Sequence, residues 1–296
     1  MAVHTLPLER RTLHGHFSRE LAPVLTVDPG DSVVFSTIHS GWLLGPDLRP
    51  YEPRDPELDR GHALCGPIEV RGARAGQVLT VRIDEVRPGG WGVTKADGEP
   101  HLWTIDADAG TATAPAHGWT VALAPFLGVL GMPPPEPGIH STRPPRRSGG
   151  NIDCKELLPG ATLYLPIVVD GALFSAGDGH GRQGDGEVSG TAIECPLERA
   201  QVTLDLRDDL ELRMPIARID GAWLAFGFDE DLDTAAELAL ATMLDLIERE
   251  LGCDRRAGLA LASVVVDLRV TQVVNGAKGV HAVLADDVLA SKRVAR

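Results

Sequence analysis

Short runs of alternating apolar and polar residues predict strands over most of the chain, and a helical period appears only near its C-terminal end. Val24, Thr26 and Asp28 run into Pro29-Gly30-Asp31 and out again at Val33-Val34-Phe35, which predicts a hairpin bent at Pro-Gly. The stretch Gly61 to Val70 and the run Gly76 to Ile83 predict two more strands joined by a Gly/Ala/Arg turn. Residues 45–62, rich in Pro, Asp, Glu and Arg, read as a surface loop. Residues 88–115 read as loops and short strands around Trp91 and Trp103. Further on, Pro133-Pro134-Pro135 and Pro144-Pro145 exclude a regular helix or central strand. The roughly 20 residues they punctuate read as a lid or binding loop, or as a solvated crossing, presenting His140, Arg143, Asn151 and Asp153.

Ala161 to Val169 reads as a buried strand, and Gln201–Arg207, Leu210–Ile216 and Ala222–Phe228 as three more. The period then changes. Leu238, Met243, Leu246, Ile247 and Leu251 follow an Asp233/Thr234 cap and precede Gly252, which predicts an amphipathic helix. From Gly258 the Ala/Leu-rich start reads as helix and the Val/Thr-rich end, to Val274, as strand. Asp267 and Arg269 interrupt that strand, and a structural pair between them is the simplest reading.

Composition narrows the class. The chain has 296 residues, 43% hydrophobic and 24% charged, enough for a sizeable core in a globular protein. Its net charge of −14, with no basic run longer than Arg143 to Arg147, excludes nucleic acid and anionic membrane as partners. No apolar stretch approaches a membrane span, and the first residues lack a signal peptide's order. Cys65, Cys154, Cys195 and Cys253 are far apart and form no C-x-x-C, the pattern of reduced thiols in a cytoplasmic protein.

The chemistry concentrates between Gly177 and Pro196. Five glycines precede Gly190 there, among Asp178, His180, Asp185, Glu187, Glu194 and Cys195. Glycine this dense lets backbone approach a ligand closely, and the stretch reads as a loop launched from the strand at 161–169. Asp178 and His180, two apart, point the same way in extended backbone, as do Asp185 and Glu187. An imidazole among carboxylates suits Zn²⁺ or a related divalent ion, and a carboxylate outside the shell can move protons. The alternative is a polar turn holding Ca²⁺ structurally. His39, at a strand end, and His62, beside a glycine, are further candidates.

These stretches, taken together, resemble the acetamidase/formamidase family. The resemblance runs through the Asp28–Asp31 turn, GHALCGPIEV from Gly61 and PFLGVLGM from Pro125. It continues through GGNIDCKELLPGATLYLPIVVDGALFSAGDGHGRQGDGEVSGTAIE from Gly149 and LASVVVDLRVTQVVNGAKGVHAVL from Leu261. Three positions depart from the family: Cys65 for an expected threonine, Ser189 for a frequent cysteine, and His39 for a usual acidic residue. The resemblance implies a mainly β, α+β fold: a β-sandwich-like core with added α/β elements and a C-terminal helical segment. It implies one domain over 1–296, β-rich to 124, with the proline-rich and glycine-rich loops at 125–196 and strands, helix and a C-terminal strand after them. It further implies hydrolysis of a short linear amide such as formamide or acetamide, metal dependence, and a homo-oligomer.

No G-x-S-x-G elbow is present, so the preferred nucleophile is a metal-activated hydroxide. In this reading Asp178 and His180 ligate the metal, with His39, Asp153 and Glu194 completing the shell. Glu187 is the general base and then the acid for the leaving amine, and Asp185 and Asp153 are further catalytic candidates. His62, Asn151, Gly177 and Gln183 are assigned to the substrate. Zn²⁺ is the expected ion, with Ca²⁺ or Mg²⁺ as alternatives. Two other classes stay open: a covalent amidase using Cys154 or Ser189, and a non-catalytic ligand-binding protein of the same fold.

Overall fold

The structure, a computed structural model, describes residues 1–287; residues 288–296 of the expected span lie outside them. Two sheets face each other across an apolar layer. The nine-stranded sheet runs, edge to edge, Val3–Leu6, Asp31–Thr37, Leu197–Arg207, Val78–Pro88, Thr162–Pro166, Ile216–Ile219, Ala222–Asp229, Lys278–Ala285 and Val266–Gln272. The eleven-stranded sheet runs Trp119–Ala122, Thr111–Ala114, Glu99–Asp106, Trp91–Ala96, Glu194–Cys195, Phe174–His180, Phe126–Gly131 and Gly149–Asn151. Leu64–Val70 adds to Phe174–His180 beside Glu194–Cys195, and carries Leu13–His14 and Leu25–Val27.

The period-2 pattern decides what each face buries. On Val78–Pro88, Leu79, Val81 and Ile83 enter the layer between the sheets with Leu127, Leu130, Ile68 and Phe174. Val78 belongs instead to a second core, with Ile216, Ala225, Val280 and Leu284 under the helices. Leu79, Val81 and Ile83 are fully buried, so cutting Leu79 or Ile83 to alanine costs about 2–5 kcal/mol. The helices are Leu232–Leu251 and Arg255–Val265, and the first packs on Ala222–Asp229 and Lys278–Ala285. Among the described residues no helix is long and apolar enough to cross a membrane.

Several expectations need correction. The Pro29-Gly30 bend exists, with Asp31 N donating to Asp28 O at 3.0 Å, but it joins no hairpin. Leu25–Val27 pairs with Leu64–Val70 in one sheet while Asp31–Thr37 pairs with Leu197–Arg207 in the other. Alternation specifies a strand and its inward face, and says nothing of its partner. Residues 91–122, expected to 115 as loops and short strands, form a regular antiparallel meander of short strands. Two of its strands are largely exposed, which weakens the hydrophobic signal: Glu99–Asp106 buries only Ile105, and Trp119–Ala122 buries nothing. Residues 210–215 lack strand pairing, and the strand begins at Ile216; Leu212 is buried in the core under the helices all the same. The helix cap is Asp231, whose carboxylate accepts from Thr234 N at 2.9 Å, and Asp233 lies in the first turn. Arg269 pairs with Glu156 at 3.3 Å, not with Asp267.

The largest correction concerns the glycine-rich stretch. Its first part is the strand Phe174–His180, every residue of it buried within the second sheet. The strand at 162–166 belongs to the opposite sheet. Asp178 and His180 therefore stand on a rigid central strand.

Candidate functional site

Register assembles the first half of the site. Phe174–His180 pairs His180 with Phe126 on one side and with Glu194 on the other. Glu194 thus lies directly across from His180, and its Oε1 sits 3.1 Å from His180 Nε2. Asp178, two residues back on the same face, places Oδ1 3.5 Å from the same nitrogen. All three side chains are buried, and their ligating atoms fall within 4.8 Å of one another. Asp153 and Glu187 form a second such group with His180. Asp153, Asp178 and Glu187 all have positive φ, at 54°, 62° and 46°. Three non-glycine residues in left-handed backbone around one imidazole store strain of the kind that collects at functional sites.

Hydrogen bonds fix the tautomers. His180 Nδ1 donates to Gln183 Oε1 at 3.0 Å, while Gln183 Nε2 donates to the Asp153 carbonyl at 2.7 Å and so cannot be turned round. The lone pair of His180 Nε2 then faces the carboxylates of Asp178 and Glu194, an arrangement that only a proton or a cation satisfies. His39 is the opposite case. Its Nδ1 accepts from Gly41 N at 2.9 Å, so the neutral ring carries its proton on Nε2. In that form Nε2 is a donor, and His39 lies outside the groups of ligating atoms that converge on His180. Its ring stacks on Trp91, centroids 5.4 Å apart.

The electrostatics follow from burial and crowding. Burial opposes ionisation of Asp178, but His180, His62 and hydrogen bonds from His180 and Glu194 together outweigh it and hold the carboxyl well below its usual range. Burial also disfavours a charged His180; Glu194 and Asp178 overcome it and raise the imidazole. Burial pushes Glu187 up to about 8, with Glu194 and Asp178 adding to the shift. Burial and then Glu187 push Asp153 well above the normal carboxyl range. Burial lowers His39 and keeps it neutral.

A cavity of about 290 Å³ reaches this cluster, lined by His39, Trp42, His62, Asn151, Asp178 and Glu187, with exposed Arg54, Arg60, Lys95 and Arg143 beside them. The residues fit a divalent ion. Asp153 Oδ1, Asp178 Oδ1, His180 Nε2 and Glu187 Oε2 are buried without a hydrogen-bond partner among the described residues. A Cβ on Gly128 would stand 2.6 Å from Asp178 Oδ2 and 2.7 Å from Asp153 Oδ1, so only glycine leaves the carboxylates this room. One imidazole among hard oxygens is a suitable donor set for such an ion.

Of the residues singled out in the sequence, Asp153, Asp178, His180, Glu187 and Glu194 converge here. His39, His62 and Asn151 line the cavity wall, and Gln183 stands behind His180. Asp185 does not converge: its carboxylate pairs with Lys155 at 2.9 Å beside a different cavity. Gly177 meets no ligand space; a Cβ there would lie 2.6 Å from Ala63 O, so it is a packing glycine between strands. Cys154 turns away to Glu156, and exposed Ser189 donates to Thr191 O at 3.2 Å. Three contributors were missed. Ser40 Oγ donates to Glu194 Oε2 at 2.9 Å, Asn275 Nδ2 donates to Asp153 Oδ2 at 2.5 Å, and Gly128 supplies the space. Ser40 is next to His39 and Asn275 lies in the VVNG stretch, but no local pattern ties either to a carboxylate far along the chain.

Residues 4–132 and 137–220 match the Acetamidase/Formamidase family model. The chain is 26% identical to the acetamidase of Mycolicibacterium smegmatis, over 60% of this chain and 61% of that one. It thus spans about three fifths of the length of the curated relatives it matches. Its fold is similar to that of a recombinant predicted acetamidase/formamidase from the thermophile Thermoanaerobacter tengcongensis: TM-score 0.86, 26% identity, 98% of each chain covered. It is also similar to the acetamidase of Bacillus halodurans, with TM-score 0.84, 27% identity, and 97% and 99% covered. The β-sandwich architecture, the converging acids and the matched segments agree: the chain belongs to the acetamidase/formamidase family.

Proposed function

We propose that this chain hydrolyses the C–N bond of a short linear amide, giving a carboxylate and ammonia. One observation carries the reading: an imidazole and four carboxylates converge where an open cavity meets a rigid strand, and the imidazole and three of those carboxylates keep a buried atom with no hydrogen-bond partner among the described residues. Relatives named acetamidase and formamidase support the substrate class.

Asp178, His180 and Glu194 would hold a divalent ion, Zn²⁺ fitting a set of three protein ligands with an open position. Such an ion, when bound, supplies Lewis acidity, polarising a carbonyl and acidifying water. The chain's own groups do the rest. Glu187, with its pKa raised to about 8, exchanges a proton near neutral pH. It takes a proton as the water oxygen bonds to the carbonyl carbon, then returns it to the nitrogen as the C–N bond breaks. Protonation lets nitrogen leave as ammonia. Asp153 shares that proton with Glu187, since two buried carboxyls this close do not both ionise. His39 Nε2–H is free to donate to the carbonyl oxygen as it gains negative charge.

Ammonia release from formamide, acetamide and propionamide tests the reading. Turnover of at least one is the expected result; turnover of none by protein carrying bound zinc overturns it.

A further inference from the structure

A second group of ligating side chains lies behind the first. Asp153 turns its carboxyl into the cavity cluster, and the next residue, Cys154, is fully buried in the core between the sheets. There it meets Glu156 and His281. Cys154 Sγ lies 3.2 Å from Glu156 Oε2, and His281 Nε2 lies 3.6 Å from that same oxygen. All three donor atoms fall within 4.8 Å of one another. The amide-hydrolysing machinery uses none of them.

His281 shows which way the group is built. It is fully buried, its Nδ1 is bonded to Thr271 Oγ1 at 2.8 Å, and its Nε2 has no hydrogen-bond partner among the described residues. With Thr271 accepting from Nδ1–H, the Nε2 lone pair faces the thiol and the carboxylate, as in a ligating histidine held by an outer partner. Glu156 is oriented in the same manner: Oε1 accepts from Arg269 at 3.3 Å, which leaves Oε2 turned to Cys154 and His281. A tetrahedral ion with arms of about 2.3 Å to sulfur and about 2.0–2.2 Å to nitrogen and oxygen holds its donors about 3.4–3.6 Å apart. The observed 3.2 and 3.6 Å bracket that spacing. Lys155 and Glu156 also line a cavity of about 590 Å³, which gives a fourth ligand from solvent a way in.

We propose that Cys154, Glu156 and His281 form a second metal site, for a thiophilic divalent ion such as Zn²⁺, separate from the cavity centre. Binding replaces the thiol proton: the S–H bond gives way to a sulfur–metal bond and one proton goes to solvent. The ion clasps the segment that follows Asp153 to the strand Lys278–Ala285, just past the turn that delivers Asn275 to Asp153. The site stands whether or not the chain hydrolyses amides.

Cobalt titration of the full chain tests this, because thiolate–Co²⁺ charge-transfer absorption requires a cysteine ligand and the cavity centre contains none. Wild-type protein is expected to develop the thiolate band with one equivalent of Co²⁺. Cys154→Ser and His281→Gln should each abolish the band and lower bound zinc by one per chain. Thr271→Val should weaken the site by about 10–100-fold. Cobalt binding without a thiolate band in wild-type protein, or a band that persists in Cys154→Ser, overturns the proposal. If Cys154→Ser does not fold, His281→Gln gives the same readout, and unchanged zinc content in that variant overturns it equally.

Discussion

Gly128 lies on the strand Phe126–Gly131 beneath the carboxylate cluster, and replacing it by alanine should disable the site while leaving the fold in place. An added Cβ would stand 2.6 Å from Asp178 Oδ2, 2.7 Å from Asp153 Oδ1 and 3.0 Å from His180 Cε1, where ordinary contact begins at 3.4 Å. Asp178 must therefore retreat by about 0.8 Å and Asp153 by about 0.7 Å, or the strands must part. Strand pairing on both sides of His180 resists the second course. A catalytic group misplaced by about 1 Å costs about 10²-fold in rate, or about 2.7 kcal/mol of transition-state stabilisation. The backbone itself accepts alanine, because Gly128 is not among the glycines with positive φ. Alanine in a strand is intrinsically favoured over glycine by about 0.5–1 kcal/mol, which offsets part of the crowding. Gly128→Ala is thus expected to lose about 10²-fold in kcat/KM on acetamide, with Tm moving by no more than a few degrees. Ammonia release, thermal melting and zinc analysis on one preparation decide it. Wild-type kcat/KM with wild-type zinc content in Gly128→Ala would refute the claim that the converging carboxylates set the activity.

Three further outcomes follow from the same geometry. Glu187→Gln keeps the shape but cannot carry a proton, so kcat should fall about 10²–10⁴-fold with bound zinc unchanged; a fall below threefold would remove Glu187 from proton transfer. His39→Ala should cost about 10²–10³-fold in kcat as a lost oxyanion donor and leave zinc content intact, whereas lost zinc would restore His39 as a ligand. Buried His14 donates from Nδ1 to His16 O at 2.7 Å and accepts from Ser175 at 2.9 Å; burial lowers it from 6.5 to about 4. The unfolded chain takes up that proton first. Stability contributed by neutral His14 is therefore complete above pH 6.5 and declines towards pH 4, by about 3 kcal/mol in all. Denaturant midpoints for wild type and His14→Gln between pH 7.5 and 4.5 should converge as pH falls, and parallel curves would contradict it.

The parts of the molecule legible in the sequence were those whose signal is local. The helix Leu232–Leu251 declared itself by period and by Gly252, which ends it in left-handed backbone at φ 61°. The site stretch was legible by residue type: Asp178, His180, Glu187 and Glu194 all reach one centre. Its backbone was misread, because the glycines that let Phe174–His180 pack tightly between its neighbours also erase a strand's usual apolar alternation. Asp185 repeated the Asp178/His180 spacing and still went elsewhere, since Gly186 sends the chain round at φ 92° before Glu187. What His39 does depends on one backbone N–H, that of Gly41, and no sequence pattern specifies a tautomer. Pairing across the chain, such as Asn275 with Asp153 or Glu156 with His281, arises only in the folded chain, where the irregular segment after Asn151 meets the turn before Lys278 and the strand that follows it.

The central claim, that Asp178, His180 and Glu194 hold the ion on which amide hydrolysis depends, is tested most directly by reconstitution. Exhaustively chelated protein would be titrated with Zn²⁺ while bound metal and ammonia release from acetamide or formamide are followed together, alongside His180→Gln. The account predicts no turnover in the chelated protein and activity that rises with zinc occupancy to a plateau, with His180→Gln inactive at every zinc concentration. Full turnover in chelated protein, or in His180→Gln, would contradict it.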